Sequence, residues 1–189
     1  MPEMQRYIAF LRGINVGGHR IKMDRLRGLF EEMGFSNVST FIASGNVVFS
    51  ASSDDEGSLA AMIEQCLADR LGYEVATFIR SPDELEAIAA FEGADGGTGD
   101  PSTSSVYVVL LQAPPGAELR STLSDLESET DEFRFSGREI YWLIQGKITE
   151  SPLFGRVLEK AFRGVPNTTR NITTIRRLVA KLDAGPATA

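Results

Sequence analysis

The stretch Leu11-Arg12-Gly13-Ile14-Asn15-Val16-Gly17-Gly18-His19-Arg20 holds three glycines, two arginines, an amide and the one histidine of the chain. Glycines let successive backbone N–H groups turn onto an anion, and arginines grip one with paired hydrogen bonds. Arg12, His19, Arg20 and Lys22 would supply the charge. Gly13, with Gly18 after four intervening residues, has the spacing that opens a Walker A loop. The Lys and Ser/Thr that should follow are here His19 and Arg20, so the phosphate-reaching amine and the magnesium-holding hydroxyl are missing. The expectation is an anion cradle formed by Gly13, Gly17, Gly18 and their neighbours, without nucleotide-hydrolysing machinery. The plain alternative is a tight turn whose glycines only supply positive φ.

His19 is the only side chain whose unperturbed pKa lies near neutrality, which makes it the candidate acid–base group if there is chemistry. With one His and one Cys in the chain, a multi-histidine or cysteine-based metal site is excluded, and no cofactor is implied. Ser44 lies in Ala43-Ser44-Gly45-Asn46, not in Gly-x-Ser-x-Gly, so it reads as a turn residue, with Asn46 beside it as a candidate ligand amide. A second polar cluster, Pro166 to Thr174, places Arg170 and Asn171 at the start of a helix, where N–H groups are available to an anion. The alternative there is that Asn171 or Thr169 is a helix cap and no more.

The elements around these residues are legible from periodicity. Tyr7 to Arg12 reads as a strand, and Asp24 to Met33 as a helix stopped by Gly34. Val38–Ile42 and Val47–Phe49 flank a hairpin turn. A helix from about Ser58 to Leu71 would face Leu59, Met62, Ile63, Cys66 and Leu67 inward, with Cys66 a buried structural thiol. Val75 to Ile79 is a fourth strand. Ser81-Pro82-Asp83-Glu84 is a capping box opening a further helix.

Residues 93–104, rich in Gly, Ser and Thr, read as a linker, after which the pattern restarts. Val106–Leu111 is a strand, and Leu119, Leu123 and Leu126 mark a helix. Glu132–Phe135 and Glu139–Leu143 form a hairpin. Leu153–Phe162 is a helix, 164–170 a loop, and Asn171 opens the last helix. The two hairpins align without a gap, Phe41–Phe49 on Phe133–Tyr141. On that alignment Tyr7 to Ser44 spans 37 positions and Tyr107 to Ser136 spans 29, so the first half holds about eight extra residues, the length of Gly13 to Arg20. The fold class is therefore α+β: two similar ferredoxin-like (βαββα-type) subdomains arising from an internal repeat. The expected limits are 1–92 for the first, with a closing fourth strand, and 105–184 for the second, with an extra C-terminal helix. A frayed tail, 185–189, follows.

The chain of 189 residues is 42% hydrophobic and 24% charged, ordinary for a globular protein. No apolar run approaches the ~20 residues of a membrane span, and the N-terminus lacks the apolar core of a signal peptide. The expectation is a cytoplasmic protein without membrane contact. The net charge of −7 hides basic ends, +4 over residues 1–30 and +5 over 151–189, around a middle of −16. Overall acidity disfavours non-specific duplex binding.

Leu11 to Gly18, Ser44-Gly45-Asn46-Val47-Val48-Phe49 and Thr169-Arg170-Asn171 together resemble domain-of-unknown-function family 1697, over Tyr7 to about Leu182. The resemblance implies a small bacterial cytosolic α+β protein with two similar subdomains, and no established activity. It marks the same segments as the chemistry does. The expected function is binding of a small anionic, phosphate-bearing ligand in a cleft formed by loop 11–20 and segment 168–171. Arg12, Asn15, the Gly17-Gly18 backbone, His19 and Arg20 would form one wall, with Ser44, Asn46, Arg170 and Asn171 completing it. The alternatives are a single-stranded RNA module, although Phe49 is the only aromatic on its hairpin strand, and a protein–protein adaptor without catalysis.

Overall fold

The computed structural model describes residues 4–93 and 104–184, so most of the expected linker and the tail 185–189 lie outside the described residues. The chain divides into two compact units, Met1–Leu85 and Glu86–Ala189.

In the first unit the elements run β1 (Gln5–Leu11), α1 (Met23–Glu32), β2 (Ser36–Phe41), β3 (Asn46–Ala51), α2 (Glu56–Leu71), β4 (Thr77–Arg80) and α3 (Pro82–Ala89), with the division between units falling inside α3. The strands form one antiparallel sheet in the order β2-β3-β1-β4. Tyr7, Ala9, Leu11, Val47 and Phe49 share the face that packs on Leu26, Leu29 and Phe30 of α1 and on Leu59, Ile63 and Leu67 of α2. The capping box is present: Ser81 N donates to Glu84 Oε2 at 2.9 Å and Glu84 N to Ser81 Oγ at 3.2 Å. Met62 is not inward but 43% exposed, and Cys66 is only half-buried. At about 100° per residue these two sit about 100° and about 60° from Ile63, the centre of the buried stripe. On edge strand β2 the register with β3 shifts between Ser36 and Ser39, where Asn37 takes φ 51°.

The second unit runs β5 (Ser104–Leu111), α4 (Ala117–Asp125), β6 (Asp131–Ser136), β7 (Glu139–Gln145), a 3₁₀ turn (Ile148–Glu150), α5 (Arg156–Ala161), β8 (Asn167–Asn171) and α6 (Ile172–Asp183). Its antiparallel sheet has the order β6-β7-β5-β8. Val109, Leu111, Ile140, Trp142 and Phe133 pack with Leu119 and Leu123 of α4. Asp131 is buried and satisfied, accepting from Trp142 Nε1 at 2.8 Å, Ser151 Oγ at 2.6 Å and Thr130 Oγ1 at 2.8 Å.

Three expectations are corrected here. The segment 164–170, read as a loop, contains all but the last residue of β8, whose backbone pairs with β5 although its side chains carry no apolar alternation. The helix expected from Leu153 begins at Arg156, because Gly155 at φ 84° breaks the turns before it. The gap-free hairpin alignment is displaced. Asn46 opposes Phe10 and Glu139 opposes Leu110, so Asn46 and Glu139 are the counterparts, one residue off the sequence match. The first turn has four residues between its paired ends, 42–45, and the second has two, Gly137 and Arg138. Leu11 to Phe41 then spans 30 positions and Leu111 to Ser136 spans 25, so the extra length in the first unit is about five residues.

The sheets also agree at their last strands. Arg80 opposes Ile8, and Arg170 opposes Val108. The residue after each arginine starts a helix: Ser81 caps α3 and Asn171 caps α6.

Candidate functional site

Loop 12–22 leaves β1 where Leu11 N donates to Gly45 O at 2.8 Å and Arg12 N to Ala76 O at 2.9 Å. Four of the next six residues lie in the left-handed region: Gly13 (φ 81°), Asn15 (58°), Gly17 (59°) and Gly18 (92°). A Cβ at any of these three glycines would meet nothing within 4 Å, so glycine is needed there for backbone direction and not for space.

Asn15 fixes the loop from both ends of its amide. Its Nδ2 donates to Ala43 O at 3.1 Å and its Oδ1 accepts from Ile21 N at 2.8 Å. Arg20 Nη1 reaches Asn15 O at 3.5 Å, and His19 N donates to Val16 O at 3.0 Å. The His19 ring is exposed and stacks on Tyr73, with centroids 3.7 Å apart and planes at 28°. Burial raises the Tyr73 phenol above its usual range.

The hairpin turn lies against this loop. Gly45 approaches so closely that a Cβ there would fall 3.0 Å from Ile14 Cβ and 3.1 Å from Leu11 Cβ. Asn46 is fully buried, and its Nδ2 donates to Phe41 O at 3.0 Å and Ser44 Oγ at 2.9 Å. Ile42, β-branched and 43% exposed, is held at φ 51°. A β-branched residue there costs on the order of 1–2 kcal/mol.

The electrostatics of the loop differ from those of the helix after it. On α1, Arg25 pairs with Glu32 at 2.7 Å, and Arg27 lies 3.8 Å from both Asp24 and Glu31. The hydrogen bond from Arg25 holds the Glu32 carboxyl below its usual range. Arg12 and Lys22, by contrast, have no side-chain hydrogen bond or ion pair among the described residues, and the N–H groups of Gly17 and Gly18 meet no acceptor there. Lys22, the residue before α1, does not cap that helix with its side chain.

Arg170 and Asn171 stand in the second unit, at the end of β8. Arg170 Nη1 donates to Thr168 Oγ1 at 2.8 Å and to Thr169 O at 2.9 Å, and burial pushes its guanidinium down to about 10. Arg80 donates likewise to the carbonyl before it, Ile79 O, at 2.7 Å. Asn171 Oδ1 accepts from Thr173 N at 2.8 Å, a helix cap.

So the structure joins Asn15 to the hairpin turn through Ala43 and seats Ser44 in that turn, with Asn46 opening β3 directly after it. Sequence reasoning missed Tyr73, the partner of His19. No local pattern links residues so far apart in the chain. Among the described residues no cluster of three His, Cys, Asp or Glu could hold a metal ion, and no helix is long and apolar enough to cross a membrane.

A family profile described as a protein of unknown function, DUF1697, matches residues 4–141. The chain belongs to this family. Within the DUF1697 match lie the whole glycine loop and the hairpin turn, from Arg12 to Asn46, whereas Arg170 and Asn171 fall beyond it. Among solved structures, this DUF1697 chain is similar to a conserved bacterial protein from Streptococcus pneumoniae. The TM-score is 0.77 at 22% identity, over 96% of this chain and 99% of that one, a likeness of fold. Comparison with curated proteins finds no match.

Proposed function

We propose that the glycine loop of the first unit binds a small phosphate-bearing anion. One observation carries this reading: Asn15 pins the loop while Arg12, Lys22 and the Gly17-Gly18 N–H groups have no protein partner among the described residues. A fixed loop with unspent donors and uncompensated positive charge binds an anion at little ordering cost. Arg12 and Arg20 grip the phosphate, the glycine N–H groups cradle it, and His19, held on Tyr73, forms a side wall. The unfavourable φ of Ile42 in the adjoining turn supports a site retained at some cost in stability. Arg170 and Asn171 are assigned to holding β8 and α6 in place.

The scaffold is read as a ferredoxin-like unit occurring twice, on the support of the shared element order and of strand orders β2-β3-β1-β4 and β6-β7-β5-β8. The single cysteine suits a reducing, cytoplasmic setting.

The test is thermal unfolding of the full chain against phosphate, pyrophosphate and sugar phosphates. An anion at 100 times its Kd adds ~2.7 kcal/mol. The gain should vanish in Arg12→Ala and persist in Arg170→Ala. A flat response to every phosphate compound, or an unchanged response in Arg12→Ala, refutes the reading.

A further inference from the structure

The second unit carries a groove of about 910 Å³ between α4 and α5. Leu119, Leu126, Val157, Ala161 and Val165 give it an apolar lining. Three cations, Arg156, Lys160 and Arg163, line it as well, against a single acid, Glu118. Arg156 and Lys160 stand one turn apart on α5, beside the apolar pair Val157 and Ala161, and Arg163 lies in the turn just past the helix end. All three cations are exposed, and none has an acidic partner or a side-chain hydrogen bond among the described residues. Val157 is 38% exposed, and Phe154, just before α5, is 52% exposed. The groove accounts for much of the +5 carried by residues 151–189 of an otherwise acidic chain.

An apolar trough beside a one-signed row of charges recognises an amphipathic ligand of the opposite sign. Its setting between two helices suits a third helix that lays its apolar face into the trough, anchored at i, i+3 or i+4, and i+7. We infer that this groove docks an acidic amphipathic helix of a partner protein. The helix sets Leu-type side chains on the α4–α5 trough and Asp or Glu against Arg156, Lys160 and Arg163.

The experiment titrates the full chain against a fluorescein-labelled helical peptide with Leu at i, i+3 and i+7 and Glu on the flanking face, read by anisotropy. Controls are a scrambled peptide of the same composition and a version with Lys for each Glu. The acidic amphipathic peptide should bind, and both controls should not. Lys160→Glu should weaken binding by about tenfold and Val157→Asp by more, and rising ionic strength should weaken it too. Lys160 is exposed, so Lys160→Glu should keep the wild-type melting temperature, which separates lost binding from lost folding. The inference is overturned if no peptide binds, if the scrambled or Lys peptide binds as well, or if Lys160→Glu changes nothing. It is equally overturned if dodecanoate binds where the peptide does not. Sedimentation showing a dimer that Lys160→Glu disperses would assign the groove to a second copy of the chain and overturn it as well.

Discussion

Arg80 and Arg170 hold the same place in their respective sheets. Each lies across from the first strand of its unit, each donates to the carbonyl of the residue before it, and each is followed by a helix cap. Both guanidinium groups are thus hydrogen-bonded to the backbone at the junction of last strand and helix. Arg80→Ala and Arg170→Ala should each destabilise by about 2–4 kcal/mol, through lost packing of the stem and lost hydrogen bonds. Chemical denaturation of the two variants checks this. A neutral result at Arg170 would return it to the list of candidate ligands.

Tyr73 offers a sharper contrast. Its hydroxyl is buried with no hydrogen-bond partner among the described residues, while its ring carries His19. Tyr73→Phe should be neutral or stabilise by up to about 1 kcal/mol, since an unpaired hydroxyl is removed. Tyr73→Ala should cost about 2 kcal/mol and release the imidazole. The second effect is measurable as a change in the chemical shifts of the single histidine.

Gly45 packs the turn tightly against Ile14 and Leu11. A methyl group there combines φ +75° with contacts of 3.0 and 3.1 Å to Ile14 and Leu11. Gly45→Ala should destabilise by about 2–4 kcal/mol. It should also disturb the loop amide resonances of residues 13–18 in preference to those of the second unit.

Ile42 works in the opposite direction. Ile42→Asn or Ile42→Gly should stabilise by about 0.5–1 kcal/mol, because both accept φ 51° more readily than a β-branched residue. If the turn belongs to the anion site, the same variants should bind phosphate less well, seen as a smaller thermal gain at equal ligand concentration.

Acid should unfold the first unit in a defined way. Asp55 caps α2, and the Ser58 hydroxyl together with the Ser58 and Gly57 N–H groups holds its carboxyl below the usual range; Arg25 does the same for Glu32. The stabilisation from a depressed carboxyl is complete above the unfolded-state pKa. It declines as pH falls through the folded value, because the unfolded chain takes up the proton first. Stability should therefore drop from about pH 4 downward. Asp55→Asn, which keeps a capping oxygen but cannot titrate, should flatten that decline. Urea midpoints across the acid range decide it.

Much of this architecture is legible in the sequence because its signals are local. The capping box Ser81/Glu84 and the cap Asn171 sit where side-chain type places them, and Tyr7–Leu11 of β1 is an unbroken apolar run. What eluded the sequence is set by partners distant in the chain. Strand β8 is polar throughout, Asn167-Thr168-Thr169-Arg170-Asn171, and exists because β5 offers it a ladder. The recurring Ser-Gly pair misleads about the hairpins. Ser44 and Gly45 belong to a four-residue turn, whereas Ser136 ends a strand and Gly137 starts a two-residue turn. In the loop, residue types alone mark Arg12 and the glycines, but the clamp from Asn15 to Ala43 and the stack on Tyr73 need the fold.

The irregularity of β2 bears on whether another chain could add to its edge. An edge strand with evenly spaced N–H and C=O groups is a template onto which another chain can add, the opening step of fibre growth. Left-handed Asn37 and the slip between Ser36 and Ser39 put that row out of step, and the outer strand β6 carries the Glu132–Arg134 ion pair on its surface. At these two edges, β2 and β6, the sheets offer a poor template for a newcomer.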